Sequence, residues 1–410
     1  MAENAKTRQT VWIVSELYYP EDTSTGFYMT KIAQGLADSF EVKVLCGQPT
    51  YSKRGTRADK RENRKNVEIY RVAGTTLDKN IIPLRLINML TLGFSILVAA
   101  LRRFRKGDKV LVVTTPPTMP FVAALAALFR GSAYYLLIHD NYPEILVAVG
   151  KARSNSWFVR IAHYANRWLF KYASKVIVVG RDMEELVKVK TEGLDIPIVF
   201  IPNWAELEDV RPAVRAENGL LKELGLAEKI VILYAGNIGY PNDIESIVEC
   251  AARMKGTGEF QFVFLGSGVK RKWLEAQVEE RALDNITILE PRPRSEQQIF
   301  LNACDIAVVS LVKGMKGVSM PSRTYNALAA GKPLLAITEE DSEIDIVVKE
   351  NDVGWCVEPG NVDALQTALI EIQTSMRYID EMSIRAREAA ERDYSLQLAI
   401  DRYKEVLDRP

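Results

Sequence analysis

The sequence predicts an α/β protein built from two doubly wound parallel-sheet domains facing one another across a cleft. Short apolar runs alternate with segments of helical spacing along all 410 residues. The runs are near-continuously apolar, as strands covered on both faces of a parallel sheet must be. Each half holds six or seven of them, too many for one comfortable sheet. A polar stretch without strand character, WAELEDVRPAVRAENGLLKELG, separates the halves. The expected division is 1–210 for a first domain, 211–385 for a second, and 386–410 for a closing helical region that crosses back to the first.

In chain order the first half offers VWIVSEL, EVKVLCG, VEIYRVA, KVLVVTT, AYYLLIHD, KVIVVG and IVFIPN as strands. The second offers KIVILYAG, FQFVFLG, ITILEP, IAVVSL, PLLAIT and GWCVEP, with helical spacing in DIESIVECAARMK and VDALQTALIEIQTSM between them. In open sheets of this kind ligands bind at the carboxyl ends of the strands, so the cleft between two such domains is the expected site.

Composition removes several classes of function. The 53 basic side chains balance 53 acidic ones, so no overall field draws this chain to nucleic acid. Cys46, Cys250, Cys304 and Cys356 are scattered, which fits reduced, buried thiols in a cytosolic protein. His139 and His163 are the only histidines, too few for a His-rich metal site. The first residues carry no long apolar run before a small-residue cleavage site, so no secretory leader is expected. The most apolar segment, Leu86 to Leu101, is shorter than the ~20 residues that cross a bilayer and includes Asn88, Thr91 and Ser95. No phosphate-binding loop ending in Lys-Ser or Lys-Thr is present, and FLGSGVKRK lacks the third glycine of a dinucleotide fingerprint. A Gly-x-Ser-x-Gly nucleophile turn is also missing.

Three strand-to-loop segments carry chemistry. In SMPSRTYNALAAGKPLLAI, Pro321 and Ser322 start a small-residue helix that stops at Gly331. Arg323 in the first turn opposes the helix dipole unless an anion lies between them, and Lys313 and Lys316 add charge just upstream. A bound diphosphate makes sense of that arrangement; a well-made structural helix is the plainer alternative. In YAGNIGYPNDIE, Gly236 and Gly239 bracket Asn237 and let backbone approach a ligand, unless the segment is an ordinary turn. In LIHDNYPE, His139 and Asp140 close a strand at the ligand-binding edge.

Together, and in this order, these features resemble the retaining glycosyltransferases of family four, of the exopolysaccharide and lipid-linked-oligosaccharide type. Their GT-B fold has two facing Rossmann-like domains. LYYPEDTSTGFYMTKIAQGLAD, HDNYPE, IPN, YAGNIG, MPSRTYNALAAGKPLLAI and DSEIDIVVKENDVGWCVEPGN each resemble a segment of that family, over nearly the whole chain. The resemblance implies transfer of a hexose-type sugar, with retention, from a nucleotide donor such as a UDP-sugar to a glycan or polyprenyl-linked acceptor. It implies a metal-independent reaction with no cofactor, in which basic side chains and a helix N-terminus stabilise the leaving diphosphate. Carried onto this sequence, Arg323 with Lys313 or Lys316 would hold the phosphates, and Ser319, Met320 and Ser322 would donate backbone N–H groups to the β-phosphate. Asn237 and Gly239 would approach the donor, with Gly26 on the opposite lip. Arg292 would lie at the base, His139 would contact the sugar, and Glu343 would follow the next strand.

The chain departs from the pattern in places. Two glutamates common in the family are replaced by Val318 and Asn326, whose amide could still bond a ribose hydroxyl. Thr25-Gly26 stands for Gly-Gly, and Tyr240 and Pro241 stand near an expected arginine and lysine. A catalytically silent glycan- or partner-binding subunit and a nucleotide-sugar epimerase are the alternative functions. Finally, Ile81 to Lys106 and the basic run Lys53 to Lys65 either form a buried helix and a solvated loop or attach the protein peripherally to the cytoplasmic face of the plasma membrane.

Overall fold

The structure, a computed structural model, describes residues 8–49, 57–77 and 81–408. The first domain holds an eight-stranded sheet of β1 (Thr10–Ser15), β2 (Glu41–Cys46), β3 (Arg61–Arg64), β4 (Val67–Arg71), β5 (Lys109–Val113), β6 (Ala133–Ile138), β7 (Lys175–Val178) and β8 (Ile198–Phe200). Its order is β3-β4-β2-β1-β5-β6-β7-β8. Every pairing is parallel except β3 on β4, so the sheet is mixed at one edge. The helices are α1 (Ser24–Leu36), α2 (Ile82–Arg103), α3 (Met119–Arg130), α4 (Glu144–Ala148), α5 (Trp157–Lys171) and α6 (Arg181–Lys190).

The second domain holds β9 (Ile230–Ala235), β10 (Phe260–Leu265), β11 (Ile286–Leu289), β12 (Ile306–Ser310), β13 (Leu334–Ile337) and β14 (Gly354–Val357), in the parallel order β11-β10-β9-β12-β13-β14. Around it lie α7 (Gly219–Leu224), α8 (Ile244–Arg253), α9 (Arg271–Glu280), α10 (Gln297–Leu301), α11 (Arg323–Ala329), α12 (Glu343–Asn351) and α13 (Val362–Thr374). In both sheets the strand order reverses beside the central strand, β1 in one and β9 in the other. Each reversal opens a crevice at the strand carboxyl ends, and the two crevices face each other.

The thirteen runs read from the sequence are all strands; most are apolar throughout because both faces of the sheets are covered, while β4, next to the edge, alternates buried and half-buried residues. The fourteenth, β3, has the sequence RENR and pairs antiparallel along the sheet edge. Arg61 pairs with Glu68 of β4, and Arg71 pairs with Glu62 at 2.9 Å. Part of the basic run is therefore an ion-paired edge strand rather than a solvated loop. Lys53 and Arg54 lie outside the described residues.

The closing region is two helices. α14 (Met376–Asp393) stays with the second domain, packed on α11, where Arg387 donates to the carbonyl of Ala329 at 2.9 Å. α15 (Leu396–Asp408) lies against α1 of the first domain, with Ile400 seated on Gly35, and the amine of Lys109 donates to the carbonyl of Leu407. The chain thus crosses back at 394–395, later than the 386 expected from sequence.

Candidate active site

The two crevices combine into adjoining cavities of about 430 and 410 Å³, in the range of small-molecule sites. They share Gly236, Asn237, Arg292, Arg323 and Asn326. Loops from both domains build the walls and touch directly. Asp140, just beyond β6, bridges to Ser319, and the backbone N–H of Asn141 donates to the carbonyl of Val318 at 2.8 Å. The Asn141 amide donates to the carbonyl of Gly317 at 2.8 Å, and Asp182 accepts from the N–H of Gly317 at 2.8 Å.

Arg323 occupies the centre. Its guanidinium lies 4.5 Å from the ring centroid of Tyr234 and donates to Asn242 Oδ1 at 3.3 Å. Its Nη1 is buried and has no partner in the protein. Gly236 makes room for it: φ is +143°, and a Cβ there would stand 3.1 Å from the Arg323 Cζ. A guanidinium with one buried, unpartnered donor, placed against bare backbone, has the chemistry to take an anion. The helix behind it, α11, is seven residues long, so the side chain rather than the helix dipole carries this charge. Ser322 precedes α11 without capping it; its hydroxyl instead lies 3.1 Å from that of Ser24 across the cleft.

His139 follows β6 with its Nε2 buried and unpartnered. Its ring meets Tyr28 edge-on, centroids 6.5 Å apart. Burial pushes the imidazole down to about 4, so it is neutral at physiological pH. A neutral ring offers a donor or an acceptor to a hydroxyl and no charge to a phosphate. Beside it, burial raises the Asp140 carboxyl above its ordinary value against hydrogen bonds from Ser319 and Thr115.

Ser319, Met320, Ser322, Asn237 and Arg292 line the cleft with Arg323, Asn326 and His139. Arg292 is tethered to Glu296 at 3.0 Å. Five expected residues do not line it. Glu339 accepts from the N–H groups of Gly314 and Lys316 at 2.8 and 3.0 Å. That fold of the loop sends the Lys316 amine to the carbonyl of Glu340, and Lys313 points outward, exposed. Glu343 is buried under Arg181, accepting from its backbone N–H at 2.7 Å and its Nε at 3.0 Å. Gly239 lies behind Asn237, and Gly26 packs on the carbonyl of Glu21 while Ser24 and Thr25 face the cleft. Asn326 lines the cavity, yet its amide is engaged elsewhere: Oδ1 accepts from the Glu206 N–H at 2.8 Å, and Nδ2 donates to Glu206 and Gln297.

Sequence reasoning missed Arg294. Its guanidinium stacks 3.6 Å from the Phe27 centroid and pairs with Glu206 at 2.6 Å, while its Nε is buried without a partner. Its nearness to Arg292 in EPRPRSE is the only sequence signal, and only tertiary structure separates the two roles.

Residues 220–392 match the family model of glycosyl transferases group 1, and residues 25–204 match that of the glycosyl transferase 4-like domain. The chain belongs to the family-four glycosyltransferases of the GT-B fold. This glycosyltransferase is 28% identical over 362 residues to the probable glycosyltransferase WbjE of Pseudomonas aeruginosa, covering 88% of this chain and 89% of the relative. It is 26% identical over 272 residues to a putative colanic acid biosynthesis glycosyl transferase, WcaI, of Escherichia coli, covering 65% of this chain and 66% of that one. Among solved structures, sucrose-phosphate synthase of Thermosynechococcus elongatus superposes with a TM-score of 0.79 at 16% identity, over 98% of this chain and 99% of that one. HepE of Anabaena, described in complex with UDP-glucose, gives a TM-score of 0.74 at 13% identity, over 98% and 100%.

Proposed function

We propose that this glycosyltransferase moves a hexose from a UDP-sugar to a glycan or polyprenyl-linked acceptor in bacterial polysaccharide assembly, with retention of configuration. The observation that carries it is the unpartnered, buried Nη1 of Arg323 against Gly236, at the carboxyl ends of the second sheet. A developing diphosphate there gains a charge-assisted hydrogen bond from a group already in place, which favours the transition state over the ground state. Backbone at Ser319 to Ser322 adds donors, and neutral His139 opposite orients a sugar hydroxyl. In this reading the leaving charge is met by side chains and main chain without a metal ion. The donor reading is supported by a solved neighbour with this fold, HepE of Anabaena, described in complex with UDP and with UDP-glucose. Peripheral placement at the inner face of the plasma membrane follows from a polyprenyl-linked acceptor.

Incubation with UDP-glucose and other UDP-sugars, scored for released UDP with and without a chelator, tests the proposal. Release that the chelator does not reduce is expected. The absence of release with every UDP-, GDP- and ADP-sugar, while UDP still binds, would favour a silent subunit. That second reading rests on Val318 and Asn326, which leave no carboxylate at either glutamate position.

A further inference from the structure

We propose that the outer face of α2, α3 and α5 is a docking surface for an anionic lipid bilayer, on which this domain lies without crossing it. The inference deepens the membrane placement proposed above by naming the surface, and it rests on that reading. α2 packs on α3, and α3 on α5, so the three helices form one continuous layer over the first sheet. Their inner sides belong to the core, through residues such as Ile96, Ala100, Ala123, Ala127 and Phe170. Their outer sides are apolar as well. Phe129 is 82% exposed, Tyr164 80%, Trp157 74% and Phe94 68%, with Leu90 and Leu125 beside them also exposed. Apolar side chains at helical spacing on the solvent side of three neighbouring helices form a patch that needs a partner.

The charges say which partner. The three helices contain no aspartate or glutamate, in a chain with 53 of them. They do contain Arg85, Arg102, Arg103, Arg130, Arg160, Arg167 and Lys171. Arg103, Arg130 and Arg167 donate to backbone carbonyls rather than to carboxylates, so their charge stays available. Exposed aromatic and aliphatic side chains among cations free of acids suit a headgroup boundary with anionic lipid. Trp157 and Tyr164 suit it further, since each presents an apolar ring with a polar edge. By length and composition, α2 is long and apolar enough to cross a membrane. Crossing would strip Leu92, Ile96 and Ala100 from the core, so it lies on the surface instead. The first turns of α2, α3 and α5 follow the carboxyl ends of β4, β5 and β6, the edge that also forms the cleft. A bilayer held on this face therefore lies beside the first-domain lip of the site.

The full-length protein is floated with phosphatidylcholine vesicles, with and without phosphatidylglycerol, at low and high salt. A parallel sample carries Phe94→Ser, Phe129→Ser and Tyr164→Ser together, its fold checked by circular dichroism and by UDP binding. Wild type should float with the anionic vesicles at low salt, and the triple variant should do so at least about tenfold less. Brominated lipid should quench wild-type tryptophan fluorescence more than that of Trp157→Phe. If wild type floats and the triple variant floats equally, this surface is the wrong one while membrane placement stands. If wild type stays with the soluble fraction, both fail. Light scattering that finds a lipid-free dimer broken by the triple variant would assign the face to a second copy and overturn the proposal.

Discussion

The two lips of the cleft differ in charge, although both are loops at the carboxyl ends of parallel strands. The first-domain lip presents Ser24, Thr25, Tyr28 and a histidine kept neutral by burial, with Asp22 and Asp140 among them. The second-domain lip presents Arg292, Arg294 and Arg323. A neutral-to-acidic wall suits hydroxyl groups, and a cationic wall suits a diphosphate. Under the proposed function, the sugar end of the donor would face the first domain and the diphosphate the second. The three arginines differ in turn: Arg292 and Arg294 pair with glutamates, whereas Arg323 pairs with no carboxylate among the described residues and keeps a buried donor free.

The largest expected effect comes from removing that free charge. Arg323→Ala should lower turnover by on the order of 10²–10³ while the circular dichroism spectrum and thermal midpoint hold, since it deletes one preorganised donor at a developing anion. Turnover near wild type in the folded variant would mean that the two lips do not differ in function.

The neutral lip is probed through pH. The folded His139 has a pKa of about 4, and an unfolded histidine titrates near 6.5. Between these values the unfolded chain binds more protons than the folded one, so stability rises with pH across this window and is lost as pH falls through it. The contribution is at most about 3–4 kcal/mol. Denaturant unfolding of wild type and His139→Gln at the two ends of the window should show the smaller loss in the variant. Equal losses would show that His139 is charged, or exposed, when folded.

Gly236→Ala probes the cationic lip from the backbone side. A Cβ 3.1 Å from the Arg323 Cζ, at φ +143°, must displace either the guanidinium or the turn. A shift approaching 1 Å should cost about 10–10² in turnover, as misplaced catalytic groups generally do. Unchanged kinetics would show that the arginine does not need its present seat.

Asn326→Ala carries the smallest effect. It removes the partner of both the Glu206 N–H and its carboxylate, which leaves polar groups unsatisfied at a cost of about 1–2 kcal/mol. The loss should appear in thermal unfolding more than in UDP affinity. A fall in affinity with stability unchanged would return Asn326 to direct ligand contact.

Much of this was legible in the sequence. Thirteen of the strands are short apolar runs, His139 and Asn237 stand in loops that directly follow strands, and Arg323 opens the helix after the loop that follows β12. β3 was not legible, because RENR alternates charge and exposure like a loop and gains its partners only from β4. Lys313, Lys316 and Glu343 are expected at the site from the family resemblance, with Lys313 and Lys316 also close to Arg323 in sequence. Which way a loop faces depends on distant groups: Glu339 turns one loop away, and Arg181 covers Glu343. Arg294 and Glu206 meet across the boundary between the domains, where no local pattern announces them.

If Arg323 holds the donor's diphosphate, calorimetric titration of UDP and of uridine into wild type and Arg323→Ala will separate the two ligands. Uridine shares the nucleoside contacts but lacks the charge. A charge-assisted hydrogen bond contributes about 1.5–3 kcal/mol, so UDP should weaken by roughly 10- to 150-fold in the variant while uridine binds as before. Equal weakening of both ligands, or of neither, would contradict the assignment.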